Sequence, residues 1–370
     1  MDPTRLPVFW VCGAAGAGKS VTAWALFQSL AGQGVSAAYV DIDQLGMVYP
    51  AIDADPRRDQ LKARALASLV PGYAAAGAQV LVVSGVIDTA ARPDLESTGT
   101  VGLTLCLISP GATALRARIT ARGWGDETAA EVVAEDATLR RAPFVDAVVE
   151  TSGLTVPQVT SRLREYVTVA STASPRQGRG PSAATLPVVM VTGPRLTGSS
   201  TLGFGLAQNR WRAGQRTGFV DIDQLCFIDG PVAADGSRSV LAIRQFVALH
   251  EYLAAQQVGL LIASAHLGGS DEQILPEHLP AAPVRVLRLR ADAATLRAHG
   301  RERLLGRPPL LAGDDLAGAN PKLLEEVVAR ALADQAHLDA LGDRDRAIDV
   351  TRHAASDAIA EIERHIAAIL

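Results

Sequence analysis

The sequence predicts an α/β protein made of two tandem domains, each built on a parallel sheet that helices cover on both faces. Three observations predict this fold class. Apolar runs of strand length alternate with segments whose apolar residues recur at helical spacing. A glycine-rich loop follows the first apolar run and opens the first helix. Both features return in the second half of the chain, as expected when one domain fold is written twice.

An internal repeat defines the domain organisation. The second copy follows the first at an offset of 180 positions, from the glycine-rich loop through the stretch VDIDQL that both copies contain. The offset becomes 181 where Leu115 matches Leu296. We therefore predict domains at residues 1–168 and 187–370, with a flexible linker at 169–186 that is rich in Pro, Gly, Ser and Ala. We expect the two copies to pack on each other.

The elements of the first copy follow from its apolar patterns. Strands are predicted, in chain order, at PVFWVCG, VSAAYVD, QVLVVSG, VGLTLCLIS and DAVVET. A first helix is predicted from Lys19 to Ala31, and a second from an Asp55-Pro56 start, with Asp55 as its N-cap. Further helices are predicted at ATALRARITARG, DETAAEVVAEDATLRRA and TVPQVTSRLREYV. Continuous apolar strands that alternate with helices are typical of a parallel sheet buried on both faces.

The composition excludes several classes of protein. A net charge of −4 over 370 residues provides no general attraction to nucleic acid or to a membrane surface. The three cysteines form no C-x-x-C pair, which indicates buried free thiols in a reducing compartment. No apolar run is long enough to span a bilayer, and the loop at Gly13 leaves no room for a signal peptide. We expect a cytoplasmic protein.

The glycine-rich loop of the first copy reads G-x-x-x-x-G-K-S, the P-loop pattern. Its predicted nucleotide-binding residues are Gly13, Ala14, Ala15, Gly16, Ala17, Gly18, Lys19, Ser20 and Val21. In this motif, backbone amides surround the phosphates of ATP, the lysine reaches the β and γ oxygens, and the hydroxyl holds Mg²⁺. The sequence therefore predicts an ATP and Mg²⁺ site.

The loop of the second copy has Ser199 at the position of Lys19. Without that ammonium group the phosphates lose a compact cation, although Arg195 within the loop could partly replace it. Two interpretations stay open. The second loop is either a degenerate copy kept for packing or a regulatory nucleotide site of low affinity.

Acidic and basic side chains follow the second predicted strand. Asp41 and Asp43 end that strand, where one carboxylate can hold a Mg²⁺-bound water and the other can accept a proton from an attacking hydroxyl. On the next helix, Arg58 and Lys62 are four residues apart and share a face, which suits an acidic acceptor or simply a solvated surface. Asp88, after the third strand, is a further substrate candidate.

Together these motifs resemble the shikimate kinase and gluconate kinase group of small P-loop kinases, whose fold is like that of nucleoside-monophosphate kinases. The resemblance implies that Asp41 serves Mg²⁺ and Asp43 serves the acceptor. It also implies that Arg118 and Arg122, on a basic lid segment after the fourth strand, contact phosphates. The second copy has a lid-like stretch around Arg307. The tandem form is also similar to actinobacterial ATP-binding proteins.

This chain departs from the group at two points. Its first copy has SGVID where shikimate kinases have a G-G-G turn, and its second copy lacks the lysine. We therefore predict a Mg-ATP-dependent phosphotransferase for an unidentified small-molecule acceptor, with Lys19, Asp43, Arg118 and Arg122 as catalytic residues. The second copy would be a pseudokinase, and a homo-oligomer stays open. The alternative is an ATP-binding regulatory or scaffold protein that transfers nothing.

Overall fold

The chain forms two compact units. The computed structural model describes residues 6–95, 101–170, 182–231, 237–266, 277–306, 312–340, 347–351 and 355–366. Unit 1 comprises Met1–Gly46, Ile52–Gly178 and Leu225–Leu241, and unit 2 comprises Met47–Ala51, Arg179–Gln224 and Ala242–Leu370. Each unit therefore contains one repeat together with a short segment that belongs, by sequence, to the other repeat.

The strands and helices alternate along the chain as the apolar patterns predict. The strands are β1 (Leu6–Cys12), β2 (Ala37–Asp41), β3 (Val48–Tyr49), β4 (Val80–Ser84), β5 (Val101–Ser109), β6 (Ala147–Glu150), β7 (Val188–Thr192), β8 (Thr217–Asp221), β9 (Phe227–Asp229), β10 (Leu260–Ala265), β11 (Val284–Arg290) and β12 (Ala347–Asp349). The helices are α1 (Lys19–Ala31), α2 (Asp59–Ala75), α3 (Ala112–Ala121), α4 (Asp126–Leu139), α5 (Val156–Arg164), α6 (Ser199–Arg212), α7 (Ser237–Ala254), α8 (Ala293–Leu304), α9 (Pro321–Ala340) and α10 (Ala355–Ile366).

Both units have the same sheet topology. In unit 1 the strand order is β6-β5-β1-β4-β2, and in unit 2 it is β12-β11-β7-β10-β8, with parallel neighbours throughout. Almost every side chain of β1, β4, β7 and β10 is buried. Because successive side chains of a strand point to opposite faces, both faces of the central strands are covered.

The prediction of a purely parallel sheet is wrong for both units. A sixth strand pairs antiparallel at one edge of each sheet: β9 lies beside β2 in unit 1, and β3 lies beside β8 in unit 2. Each of these strands comes from the repeat that otherwise forms the other unit. Both sheets are therefore mixed, and each one needs a segment of both repeats.

The added edge strand of unit 1 brings an aromatic side chain into its core. The Phe227 ring lies 4.9 Å from that of Trp24 and 6.0 Å from that of Tyr39, measured between centroids. The Tyr73 hydroxyl donates a hydrogen bond of 2.7 Å to the carbonyl oxygen of Leu225. Aromatic packing and hydrogen bonding therefore fix this segment in unit 1.

The start of α2 differs from the prediction. The helix begins at Asp59 rather than directly after Asp55, since Arg58 at its N-cap has a left-handed backbone with φ of 59°. Asp55 still caps the helix, because its carboxylate accepts a hydrogen bond of 2.9 Å from the amide of Leu61. The tight turns before Arg58 therefore delay the helix without removing its acidic cap.

The predicted linker at 169–186 lies largely outside the described residues, as does Arg307 in the second lid-like stretch. The predicted boundaries at 168 and 187 stay predictions. Cys12, Cys106 and Cys226 are free and buried, as the sequence predicts. Burial raises the pKa of Cys106 to about 12, which keeps this thiol protonated.

Candidate active site

The P-loop of unit 1 connects β1 to α1 and has the backbone that its glycines allow. Gly16 and Gly18 have φ of 77° and 100°, in the left-handed region that favours glycine. A Cβ atom at Gly13 would lie 2.7 Å from the carbonyl oxygen of Ile108. These glycines let the loop turn tightly and direct the N-terminus of α1 toward a bound anion.

Lys19 lies at the first position of α1 and folds back over the loop. Its Nζ donates a hydrogen bond of 2.9 Å to the carbonyl oxygen of Ala14. Burial lowers the pKa of Lys19, whereas the nearby charges of Asp43 and Asp41 raise it. The ammonium group therefore rests on the loop close to both carboxylates.

Ser20 and Asp41 form a hydroxyl–carboxylate pair beside the loop. The Ser20 Oγ donates a hydrogen bond of 2.8 Å to Asp41 Oδ2, and the Ser84 Oγ donates another of 2.8 Å to the same oxygen. Burial raises the pKa of Asp41, and the charge of Asp43 raises it further. Oxygen donors of this kind suit Mg²⁺, which takes few protein ligands and completes its shell with water and phosphate oxygens. The predicted ligands Ser20 and Asp41 thus fit this ion.

The carboxylate of Asp43 forms an ion pair with a buried lysine. Lys62 Nζ lies 2.8 Å from Asp43 Oδ1, and the side chain of Lys62 is 8% exposed whereas that of Asp43 is 56% exposed. A Cβ atom at Gly46 would lie 2.5 Å from the Cε of Lys62, so the glycine makes room for the lysine. The buried ammonium group of Lys62 therefore fixes the position of the Asp43 carboxylate, and solvent reaches the carboxylate rather than the lysine.

The other predicted acceptor residues make contacts of their own. Arg58 Nε donates a hydrogen bond of 2.9 Å to the carbonyl oxygen of Gly46, at the end of the segment that carries Asp43. Asp88 Oδ1 accepts a hydrogen bond of 2.8 Å from the amide of Ala90. Arg58 thus braces the Asp43 segment, and Asp88 shapes the turn after β4.

The two predicted lid arginines differ in position. Arg118 Nη1 donates hydrogen bonds to the carbonyl oxygens of Gly16, at 3.0 Å, and Ala17, at 3.2 Å. Arg122 caps the C-terminus of α3 and is exposed. Its side chain makes no hydrogen bond or ion pair with the residues that the structure describes. Only Arg118 therefore contacts the P-loop.

The loop of unit 2 keeps the backbone but lacks the cation. Gly198 has φ of 91°, close to the value at Gly18. Ser199 is buried, and its hydroxyl has no hydrogen-bond partner among the described residues. Arg195, the candidate replacement for the lysine, pairs with Asp315 at 2.6 Å and lowers the pKa of that carboxyl. Its guanidinium group is therefore already engaged.

The carboxylates of unit 2 have a different countercharge. Asp221 ends β8 and Asp223 follows two residues later, as Asp41 and Asp43 do at β2, but Ala242 occupies the position that corresponds to Lys62. His266 supplies the partner instead, because its Nδ1 and its backbone amide both bond to Asp223 Oδ2. The charge on the second carboxylate is thus balanced from the end of β10 and not from the helix that carries Lys62 in unit 1.

Sequence reasoning missed three of these side chains. Ser84 bonds to Asp41, Tyr39 bonds to Ser84 at 2.9 Å, and His266 bonds to Asp223. Ser84 has a serine counterpart at position 264, and this match across the repeat was a usable signal. His266 has no matching histidine in the first copy, so the repeat could not identify it.

Two further kinds of feature are absent from the described residues. No group of three or more His, Cys, Asp or Glu side chains in the described ranges is arranged to hold a metal ion. No helix in the described part of the chain is long and apolar enough to cross a membrane.

Comparisons with known proteins give partial likenesses. No family model and no curated protein matches the chain. A sugar kinase from Janibacter sp. is 17% identical, with 48% of this chain and 93% of that one covered and a TM-score of 0.34. A shikimate kinase from Acinetobacter baumannii, in complex with shikimate, is 17% identical over 50% and 95% of the two chains, with a TM-score of 0.31. A gluconokinase from Sinorhizobium meliloti is 12% identical over 50% and 97%, also with a TM-score of 0.31. Each of these three likenesses covers about half of this chain.

Proposed function

We propose that this protein transfers a phosphoryl group from Mg-ATP to a hydroxyl group of a small-molecule acceptor, with unit 1 as the catalytic unit. One observation carries the proposal. Ser20 Oγ lies 2.8 Å from Asp41 Oδ2 beside a P-loop that has its lysine, and Asp43 follows two residues later with its carboxylate exposed. A phosphate site, oxygen ligands and a candidate base therefore converge at the ends of β1 and β2.

The P-loop side of the site supplies charge and position. The loop amides and Lys19 hold the β and γ phosphates, and the Arg118 guanidinium, which donates to the loop carbonyl oxygens, would neutralise charge on the transferring group. Ser20 and Asp41 would hold Mg²⁺, which when bound neutralises charge on the β and γ oxygens. Phosphoryl transfer depends mainly on such positioning and electrostatics.

The acceptor side supplies the base. The acceptor hydroxyl oxygen attacks the γ phosphorus and its proton passes to the carboxylate of Asp43, while the bond to the β–γ bridging oxygen breaks and ADP leaves. Lys62 is a positioning residue, because its buried ammonium group holds Asp43 at 2.8 Å. Arg58 fixes the same segment through Gly46.

Unit 2 is proposed to be a pseudokinase. Its loop has the buried Ser199 in place of the lysine. The guanidinium group of Arg195 forms an ion pair with Asp315. A nucleotide phosphate would therefore meet no free cation from either residue. This supports the interpretation that the second loop is a degenerate copy.

The test is acceptor-dependent release of ADP by the full chain, with Mg-ATP and a panel of hydroxyl metabolites. Lys19→Ala should weaken ATP binding by about 10- to 150-fold, because a charge-assisted contact contributes about 1.5–3 kcal/mol. Ser199→Ala is the matched control and should leave ATP binding unchanged. Lys19-dependent ATP binding without ADP release for any acceptor would favour the scaffold alternative. Binding that is insensitive to Lys19→Ala would exclude unit 1 as the nucleotide site.

A further inference from the structure

The turn between α3 and α4 exposes a tryptophan. Trp124 lies between Gly123 and Gly125, and 44% of its surface is exposed. The chain has four tryptophans, all within the described residues, and the other three are buried or half-buried. Trp24 and Trp211 pack against neighbouring aromatic rings. Trp124 is thus the most exposed of the four tryptophans.

This turn is anchored to the P-loop of unit 1. The amide of Trp124 donates a hydrogen bond of 3.3 Å to the carbonyl oxygen of Ile119. Ile119 is fully buried, and its Cδ1 lies 3.2 Å from the place where a Cβ atom on Gly16 would be. The preceding residue, Arg118, donates to the carbonyl oxygens of the loop. The exposed ring therefore follows directly after the helix end that contacts the phosphate loop.

Unit 2 has an exposed apolar residue at the same position. The offset of 181 that matches Leu115 to Leu296 also matches Trp124 to Leu305, whose surface is 66% exposed. The contact of Arg118 with the loop has its counterpart in His299, whose Nδ1 lies 2.7 Å from the carbonyl oxygen of Leu196. Singly exposed apolar side chains are common on protein surfaces. Here, however, an exposed apolar side chain lies at the end of the matching helix in both units, at the C-cap of α8 and two residues after the C-cap of α3, and it is aromatic in the unit whose loop has the lysine.

We propose that Trp124 is the stacking platform for the base of the nucleotide whose phosphates the P-loop of unit 1 holds. The inference rests on the proposed function, because it requires nucleotide at that loop. Every nucleobase has a π face, so an indole ring stabilises its binding without reading its hydrogen-bonding edge. Purines offer the larger face. Unit 1 should therefore bind ATP and GTP with similar affinity, and both more tightly than CTP or UTP.

The test compares ATP with inorganic tripolyphosphate, which has the phosphates but no base. In titration calorimetry of the full chain, Trp124→Ala should weaken ATP binding by about 5- to 150-fold, since stacking contributes about 1–3 kcal/mol per base. Tripolyphosphate binding should be unchanged. Trp124→Phe should retain most of the ATP affinity, and Leu305→Ala, at the matching position of unit 2, should change neither ligand. ATP should also quench tryptophan fluorescence in the wild type but much less in Trp124→Phe.

Titrating Lys19→Ala with ATP and with tripolyphosphate in parallel distinguishes the results that would contradict the stacking proposal from those that would contradict the proposed function. If Lys19→Ala weakens both ligands while Trp124→Ala weakens neither, the stacking proposal is wrong and the nucleotide site stands. If Trp124→Ala weakens both ligands equally, the residue supports the loop and does not bind the base, which also overturns the proposal. If Lys19→Ala weakens neither ligand, the proposed function fails at its nucleotide site.

Discussion

The two glycine-rich loops have nearly the same backbone and different charges. Gly18 and Gly198 have φ of 100° and 91°, and a helix begins directly after each of them. In unit 1 that helix begins with Lys19, close to two carboxylates, whereas in unit 2 it begins with the buried Ser199. The left-handed turn directly before the helix can therefore persist after the cation has gone, because a glycine occupies that position in both loops.

The carboxylate pairs that follow the second strand of each unit show a related difference. Asp43 is balanced by Lys62 on α2, and Asp223 is balanced by His266 at the end of β10. Each unit therefore has a cation beside its second carboxylate, and the two cations come from different elements. Histidine titrates near neutral pH. The comparison therefore indicates a pH-dependent pair in unit 2.

The largest expected effect separates the two carboxylates in catalysis. Asp43→Asn should lower phosphoryl transfer by about two to four decades, the usual contribution of a general base, and leave Mg-ATP binding nearly intact. Asp41→Asn should instead change the dependence of ATP binding on Mg²⁺ concentration. Asp223→Asn, the control in unit 2, should leave transfer close to wild type. Equal losses of transfer in Asp43→Asn and Asp223→Asn would show that the units are not divided as proposed.

The second effect concerns stability and tests whether unit 1 depends on its added edge strand. Phe227→Ala should lower the free energy of unfolding by about 3 kcal/mol, because it removes a buried ring from the cluster with Trp24 and Tyr39. Urea unfolding measures the change. Phe204→Ala, whose ring is 37% exposed, is the control and should cost much less. A loss in Phe227→Ala no larger than in this control would contradict the role assigned to β9.

The smallest effect is the pH dependence of unit 2. Burial lowers the pKa of His266, but its hydrogen bond to Asp223 and the charges of Asp223 and Asp221 outweigh this and raise it above 6.5. The ion pair of His266 with Asp223 therefore stabilises the folded state fully below pH 6.5. This stabilisation is lost as the pH rises through the pKa that His266 has in the folded state. Burial, followed by the charge of Asp223, raises the pKa of Asp221 to about 6, which favours the protonated folded form and acts in the same direction.

Thermal unfolding at pH 5.5 and pH 8.5 measures this difference. The His266 side chain is 34% exposed, so solvent screens the pair, and we expect its pH-dependent part to be about 1 kcal/mol, or about 2–4 °C. His266→Gln should remove that part of the pH dependence. An unchanged pH profile in His266→Gln would mean that the pair does not titrate as inferred.

Much of the secondary structure could be predicted because its signals are local. The helix predicted from Lys19 to Ala31 and the strand predicted at VGLTLCLIS have the bounds that the structure gives to α1 and β5. The two edge strands β3 and β9 could not be found in this way. They have two and three residues, too few to show a period, and their pairing depends on a partner from the other repeat. A cut after residue 168 would therefore remove β9 from unit 1.

The site was predictable in its residue types but not in all of its contacts. Spacing placed Arg58 and Lys62 on one face of a helix and suggested an acidic acceptor. The structure instead directs Lys62 at Asp43 and Arg58 at the carbonyl oxygen of Gly46. Helical spacing indicates which side chains share a face, but only the packing of that face decides which partner each one meets.

The sequence by itself determined the repeated α/β order, the P-loop of unit 1 and the absence of its lysine from unit 2. These features depend on residue type and on short spacings, which a chain carries in any conformation. The tertiary structure decided that each sheet takes an edge strand from the opposite repeat, that His266 replaces Lys62 as the countercharge, and that Asp315 engages Arg195. Each of these results joins residues far apart in sequence, and such contacts depend on how the folded elements pack.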